Sequence, residues 1–149
     1  ATQSASADAN TLDDYEEGYH TMVATTSGGG TFTVTTGYDE LSYTKVGRVV
    51  HLQGSLFFTS QLSGTDGDLK ITIPFTAADL NDLAGTGMGS VMFYKMTTGD
   101  KSCSVRISDN EDFMTFVFDQ TAATYGTIQG SDVAATTTRI YFGVSYIAA

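Results

Sequence analysis

The chain has 149 residues, 41% of them hydrophobic, which is enough for one domain with a substantial core. Seventeen acidic residues oppose seven basic ones, for a formal net charge of -10, and no cluster of Lys and Arg is present, which argues against nucleic-acid binding. No apolar run approaches the roughly eighteen residues that a membrane-spanning helix needs, so we do not expect membrane insertion.

The N-terminal residues are polar and small, and we predict that residues 1–18 form a linker or extended arm ahead of a domain over residues 19–149. Four carboxylates lie close together near the end of this arm: Asp13, Asp14, Glu16 and Glu17. They could bind a cation or support acid–base chemistry, but a solvated turn that leads into the first strand is the simpler interpretation.

The next segments have the pattern of β-strands. Residues 19–26 and 31–36 flank a Ser-Gly-Gly-Gly turn, which predicts a hairpin. Residues 43–60 contain the longest alternation of the chain, typical of a strand with one buried face. The residues expected on that buried face are Val50, Leu52, Gly54, Leu56 and Phe58. At Gly54 we expect a bulge, a bend or a close neighbour.

Further strands are predicted over residues 69–75, 88–97, 102–108, 112–118 and 137–147. A short helix is predicted over residues 76–85, with Thr76 as its N-cap and Gly85 as its end. Eight or nine short strands with turn residues between them favour an all-β fold. We expect a β-sandwich of the jelly-roll type.

Three segments of the first half resemble the C-terminal domain of bacteriophage tail fibre and tailspike-like proteins. They are residues 12–18 (LDDYEEG), 43–50 (YTKVGRVV) and 74–76 (PFT). The chain departs from the pattern of that family at residues 19–21, where the family has Trp-Thr-Pro. The resemblance implies a structural scaffold of the virion, with residues 1–18 arriving from a longer fibre, and it assigns no catalytic residue.

Two predicted strands, residues 88–97 and 112–118, carry apolar side chains on both faces. One face fills the core, and the other needs a cover. We therefore expect a subunit interface, and because phage fibres are usually trimers, the resemblance implies a homotrimer; a loop of the same chain is the alternative cover. The side chains predicted to contribute to the interface are His51, Phe57, Phe113 and Val117.

The sequence contains no catalytic motif that we can identify. His20 and His51 are the only histidines, no G-x-S-x-G motif is present, and Cys103 is expected to be a small buried hydrophobe. We assign no cofactor and no metal and do not predict an enzyme, although many carboxylate pairs exist that glycoside cleavage could use. The acidic turns around Asp66 and Asp109 could ligate Ca²⁺, but neither matches an EF-hand loop.

Recognition is therefore expected in three loops at one end of the sandwich, residues 61–68, 108–112 and 119–135. Their carboxylates, amides and one aromatic ring are the groups that bind sugars. The candidate ligand-binding residues are Asp66, Asp68, Asp109, Asn110, Asp112 and Tyr125.

The leading hypothesis for function is a receptor-binding domain of a phage tail fibre, which attaches to a bacterial surface glycan or protein. A trimerisation cap without its own ligand is the alternative, and a small polysaccharide depolymerase is a third.

Overall fold

A computed structural model describes residues 14–63, 66–97, 101–120, 124–133 and 137–149. The strands in this part of the chain are β1 (Tyr15–Thr21), β2 (Ala24–Thr26), β3 (Thr31–Val34), β4 (Glu40–Val46), β5 (Val49–Ser63), β6 (Leu69–Thr72), β7 (Gly87–Tyr94), β8 (Cys103–Ile107), β9 (Phe113–Phe118), β10 (Gly126–Thr127) and β11 (Arg139–Ile147). Two short 3-10 helices cover Asn81–Leu83 and Gly130–Asp132. The all-β class predicted from the sequence is confirmed.

Strand β5 joins the two sides of the molecule because it pairs with three other strands. One edge pairs with β11, and the other pairs first with β4 and then with β3. The order β5-β11-β7-β8-β9-β6-β2-β3 therefore returns to β5 and forms a closed eight-stranded barrel. This differs from the expected jelly-roll sandwich, whose two sheets would be separate layers, because β3 and β5 are hydrogen-bonded to each other.

Two irregularities in the β3–β5 ladder account for this closure. The register shifts between Thr31 and Phe32, and again between Thr33 and Val34. Each shift leaves one extra residue in β5, as in a β-bulge, and bulges bend a strand and increase its twist. The far half of β5 can thus turn away from β4 and meet β3.

The predicted strand over residues 43–60 is two strands in the structure. Val46 pairs with Val49, so the chain reverses through Gly47 and Arg48 in a two-residue hairpin. Gly47 has a φ of +59°, which a type II′ turn requires at its first central position and which glycine adopts without steric cost.

Beyond this turn, the alternation of β5 is as predicted. Val50, Leu52, Leu56 and Phe58 are fully buried, whereas His51 faces outward. Gly54 also lies as expected against close neighbours, since a Cβ there would be 3.0 Å from Phe142 Cζ. The core that these residues share extends around the barrel interior and includes Leu41, Leu69, Ile71, Val105, Ile107, Met114, Phe116, Ile128 and Ile140.

The helix predicted over residues 76–85 is wrong. Ala77 and Ala78 donate their backbone N–H groups to Glu111 O and Ile147 O, in neighbouring segments, instead of continuing a helix. Asp82 and Leu83 have φ values of +58° and +60°, so only a distorted 3-10 turn forms. No helix in the described ranges is long and apolar enough to cross a membrane.

The β1–β4 pair projects from β5 beside the barrel. β1 begins at Tyr15, four residues before the predicted domain boundary at residue 19, because residues 15–18 already pair with β4. The acidic cluster is solvated and locally paired: Asp14 forms an ion pair with Lys45, and Glu16 accepts a hydrogen bond of 2.7 Å from Tyr43. Residues 1–13, including Asp13, lie outside the described residues, so the linker there stays a prediction.

Glycine is needed in β7 where its backbone approaches β11. A Cβ at Gly89 would overlap the carbonyl oxygen of Gly143 and lie 2.7 Å from Val144 Cα. At Gly143 the nearest atom to an added Cβ is 3.9 Å away. Neither glycine has a left-handed backbone, so the two positions differ only in the space available for a side chain.

We predict that Gly89→Ala destabilises the fold by about 1–3 kcal/mol, because overpacking forces the two strands apart. The matched substitution Gly143→Ala should change the free energy of unfolding by less than about 0.5 kcal/mol. Urea unfolding of both variants measures the difference; equal stabilities would contradict the close approach of β7 and β11.

Candidate ligand-binding groove

The predicted binding residues of the loop at residues 61–68 have structural partners. The Asp68 carboxylate accepts hydrogen bonds of 2.6 Å from both Thr127 Oγ1 and Gln129 Nε2. Asp66 is exposed, and its backbone oxygen accepts a hydrogen bond from Gly28 N. These contacts hold together three loops at one end of the barrel.

Asp109, Asn110 and Asp112 lie at the opposite end of the barrel, as the strand register requires. Asp109 Oδ2 accepts a hydrogen bond of 3.3 Å from Leu80 N, and its buried Oδ1 has no hydrogen-bond partner in the described part of the chain. Asn110 has a φ of +59°, typical of a tight turn. The two acidic turns are therefore not brought together into one site.

A metal site does not emerge from these carboxylates. Within the described ranges, no three His, Cys, Asp or Glu side chains converge as metal ligands would. Cys103 is half-buried, and burial raises the pKa of its thiol, which disfavours the reactive thiolate.

Tyr125 lies on the outer surface beside β8 and β9, away from both acidic turns. Its ring stacks near the Arg106 guanidinium, at 5.2 Å from the ring centre, and its hydroxyl accepts a hydrogen bond of 2.5 Å from Arg106 Nη1. Both residues line a pocket of about 310 Å³, together with Val117 and Phe118.

The predicted interface residues occupy two separate parts of the surface. His51 and Phe57 lie on the outer face of β5, where His51 Nδ1 is 3.0 Å from Ser145 Oγ. Phe113 and Val117 lie on β9, and the Lys70 ammonium is 3.9 Å from the centre of the Phe113 ring. Val117 is 7% exposed, so its own chain already covers it. An interface role for all four stays a prediction.

A concave surface crosses the strands instead of lying in the loops. Strand register aligns five outward positions in one transverse row: Tyr19, Ser42, Gln53, Gly143 and Ser90. Strand neighbours are about 4.8 Å apart, so the row spans about 19 Å across β1, β4, β5, β11 and β7. Tyr19 is 75% exposed at one end of this row. Ser42, Gly143 and Ser90 are small, so the surface of the row lies close to the backbone at these three positions.

A second row, Ser55, Tyr141 and Met92, lies beside the first, and Asp39 and Glu40 lie at the β4 end. The two rows enclose an open groove of about 720 Å³, which we call the transverse groove. It combines exposed tyrosine rings with carboxylate, amide and hydroxyl groups, and none of the described residues that line it is Lys or Arg. Chemically, it can stack against an apolar ring face and hydrogen-bond to neutral polar groups.

A third row continues along β11 with Phe57, Arg139 and Tyr94. These residues line a pocket of about 350 Å³ together with Lys95, Thr137 and Tyr141, and we call it the Arg139 pocket. Tyr141 lines both this pocket and the transverse groove, so the two are continuous.

The groove could not be predicted from sequence patterns, because its members lie as far as 124 positions apart, from Tyr19 to Gly143. Each strand shows its outward residues by alternation, but only the register between strands aligns them. The available signal was the alternation of residues 139–147, which places Arg139, Tyr141 and Gly143 on the outward face.

No family model and no curated protein matches this chain. The crystal structure of Dettilon tailspike protein (gp208) is similar to it, with a TM-score of 0.69 and 14% sequence identity over 89% of this chain. The similarity covers 24% of that longer chain. At this low identity, the likeness shows that the two proteins share a fold in this region.

The β1–β4 pair that carries Tyr19 is attached to the barrel through the next residue of β1. His20 Nε2 is 3.0 Å from Thr72 Oγ1, which also accepts a hydrogen bond from Val23 N. Partial burial lowers the pKa of His20 below its ordinary value of 6.5, so the folded protein favours the neutral imidazole.

We predict that the contribution of His20 to stability is present above the ordinary pKa of 6.5 and is lost as the pH falls through the lower folded-state pKa. The reason is that the unfolded chain takes up the proton first. His20→Gln should remove this pH-dependent contribution to stability. Thermal unfolding of the wild type and of His20→Gln, at about pH 7.5 and about pH 5.5, would measure it. His51→Gln, on the exposed face of β5, is the control and should retain it; an unchanged pH dependence in His20→Gln would contradict the prediction.

Proposed function

We propose that this chain is a host-attachment module of a bacteriophage tail structure, which binds a bacterial surface glycan in the transverse groove. The observation that carries the proposal is the groove itself, with two exposed tyrosines, Tyr19 and Tyr141, around a base of small and polar side chains. The fold shared with part of a tailspike protein supports a location in the virion.

The groove has the chemistry that carbohydrate binding requires. A pyranose presents a C–H face, which packs on an aromatic ring, and an edge of hydroxyl groups, which need hydrogen-bond partners. Gln53, Asp39 and Glu40 provide both donor and acceptor groups beside the rings. The groove is open and shallow, which suits a chain that extends beyond the site at both ends.

Gly143 allows the groove to be blocked without disturbing the core, because its missing side chain would point into open space. We predict that Gly143→Gln abolishes glycan binding while leaving the melting temperature nearly unchanged. Tyr19→Ala should weaken binding at least about fivefold, through the loss of an exposed aromatic contact. Binding of the isolated protein to an array of bacterial glycans, together with competition against phage adsorption, measures both effects.

Tyr125→Ala is the matched control, since Tyr125 is also exposed, at 54%, but lies outside the groove. A loss of binding in Tyr125→Ala, with Tyr19→Ala unaffected, would move the site to the loop and contradict the groove. Binding to neither glycans nor cells would overturn the attachment function altogether. Release of reducing sugar ends would instead favour the depolymerase alternative.

The second candidate function is a structural module that assembles as a homotrimer. Apolar side chains on the outer face of β7 favour it, since Met88, Met92 and Tyr94 are 53%, 59% and 51% exposed. A row of this kind is usually covered by another protein surface. The predicted interface residues Phe57 and His51 lie on the same side, two strands away across β11.

Assembly has a direct test. If β7 lies in a trimer interface, light scattering at micromolar concentration should give three times the chain mass of 15.8 kDa, and Met92→Glu should give the monomer mass. Leu83→Glu is the control, because Leu83 is 68% exposed in the distorted 3-10 turn Asn81–Leu83, outside this face. A wild-type protein that is monomeric at these concentrations would exclude the trimer.

A further inference from the structure

Arg139 packs beside two aromatic rings on the outer face of the barrel. Its guanidinium carbon is 5.0 Å from the centre of the Phe57 ring and 5.3 Å from that of Tyr38. The two rings also contact each other edge to face, with centres 5.9 Å apart. These cation–π contacts hold the guanidinium beside the rings, and it also hydrogen-bonds to the side chain of Tyr141.

Lys95 adds a second cation to the Arg139 pocket through an unusual backbone conformation. It follows β7 with a φ of +57°, a left-handed conformation that costs a non-glycine residue free energy. The Thr138 hydroxyl donates a hydrogen bond of 2.5 Å to Lys95 O, and Thr138 is fully buried. The bend therefore holds Lys95 next to Arg139, with its ammonium 5.4 Å from the centre of the Tyr94 ring.

The two cations differ from Lys45 and Lys101 in their surroundings. Lys45 and Lys101 form ion pairs with Asp14 and Asp132. Neither Arg139 nor Lys95 forms an ion pair with a carboxylate in the described ranges. On a protein with a net charge of -10, two neighbouring cations without a carboxylate create a local site for an anion.

We propose that the Arg139 pocket binds an anionic substituent of the glycan, a carboxylate or a phosphate, while the neutral part of the same chain lies in the transverse groove. This inference rests on the proposed function. Gly143, Tyr141 and Arg139 alternate on the outer face of β11, so Gly143 in the groove and Arg139 in the pocket are about 13 Å apart along one strand. A short oligosaccharide can contact both.

The chemistry of the pocket distinguishes the ligand's two ends. The planar guanidinium of Arg139 offers paired N–H groups that match a carboxylate or phosphate, and Lys95 adds a mobile point charge. Asp39 and Glu40, at the β4 side of the groove, repel an anion there. The bound glycan is thus oriented, with its charged unit toward β7 and the C-terminal end of β5.

The test compares glycans that carry neutral, uronate-bearing and phosphate-bearing repeat units, with wild-type protein, Arg139→Gln and Lys95→Gln. Wild type should bind the acidic glycans more tightly than the neutral one. Arg139→Gln should bind the acidic glycans about tenfold or more weakly, with its affinity for the neutral glycan unchanged. Arg139→Lys, which keeps the charge but not the paired N–H groups, should fall between the two. The uronate and phosphate arms show which anion is preferred. Arg106→Gln is the matched control, since Arg106 also stacks on a tyrosine but lies outside the pocket.

Two negative results remain distinct. If wild type binds glycans without any preference for acidic ones, or if Arg139→Gln binds acidic glycans as wild type does, the inference is overturned and the attachment function stands. If wild type binds no glycan, the attachment function fails, and the pocket is then tested by titration with methyl glucuronide, methyl glucoside and inorganic phosphate. NMR shifts of the Arg139 side chain with the two anions, but not with the glucoside, would support the pocket, and their absence would overturn it.

Discussion

The fold depends on the hydrogen bonding of β5 along both of its edges. Over fifteen residues, this strand pairs with β11 on one side and with β4 and β3 in succession on the other. Its inward face supplies Leu52, Leu56 and Phe58 to the core, and its outward face supplies Gln53 to the groove. Core, closure and candidate site thus share a single strand, and a change in its register would move every side chain to the wrong face.

The local parts of the fold were predictable from the sequence because alternation and turn chemistry are local. The inward face of β5 and the close contact at Gly54 follow directly from the residues. The helix over residues 76–85 failed because its backbone groups bond to distant segments, at Glu111 and Ile147. Barrel closure likewise depends on β3 meeting β5, a pairing that no local pattern encodes.

The candidate site does not lie in the loops that the sequence favoured. Asp68 and Asp109 have the chemistry of ligand-binding residues, but Asp68 joins neighbouring loops and Asp109 bonds to the backbone at Leu80. The concave surface instead arises where small outward residues of adjacent strands coincide. Neither Gly143 nor Ser42 indicates a binding site by itself. The groove exists only because the pairing between strands aligns them.

A barrel has no free strand edge, but the β1–β4 pair adds one. β1 is the terminal strand of the sheet order, so one row of its backbone N–H and C=O groups has no strand beside it in the described ranges. Such edges promote self-association through strand pairing. Asp14, Glu16 and Glu17 are exposed along β1, and two copies approaching edge to edge would bring like charges together. The acidic cluster therefore disfavours pairing of two copies along this edge, and concentrated salt would screen that repulsion.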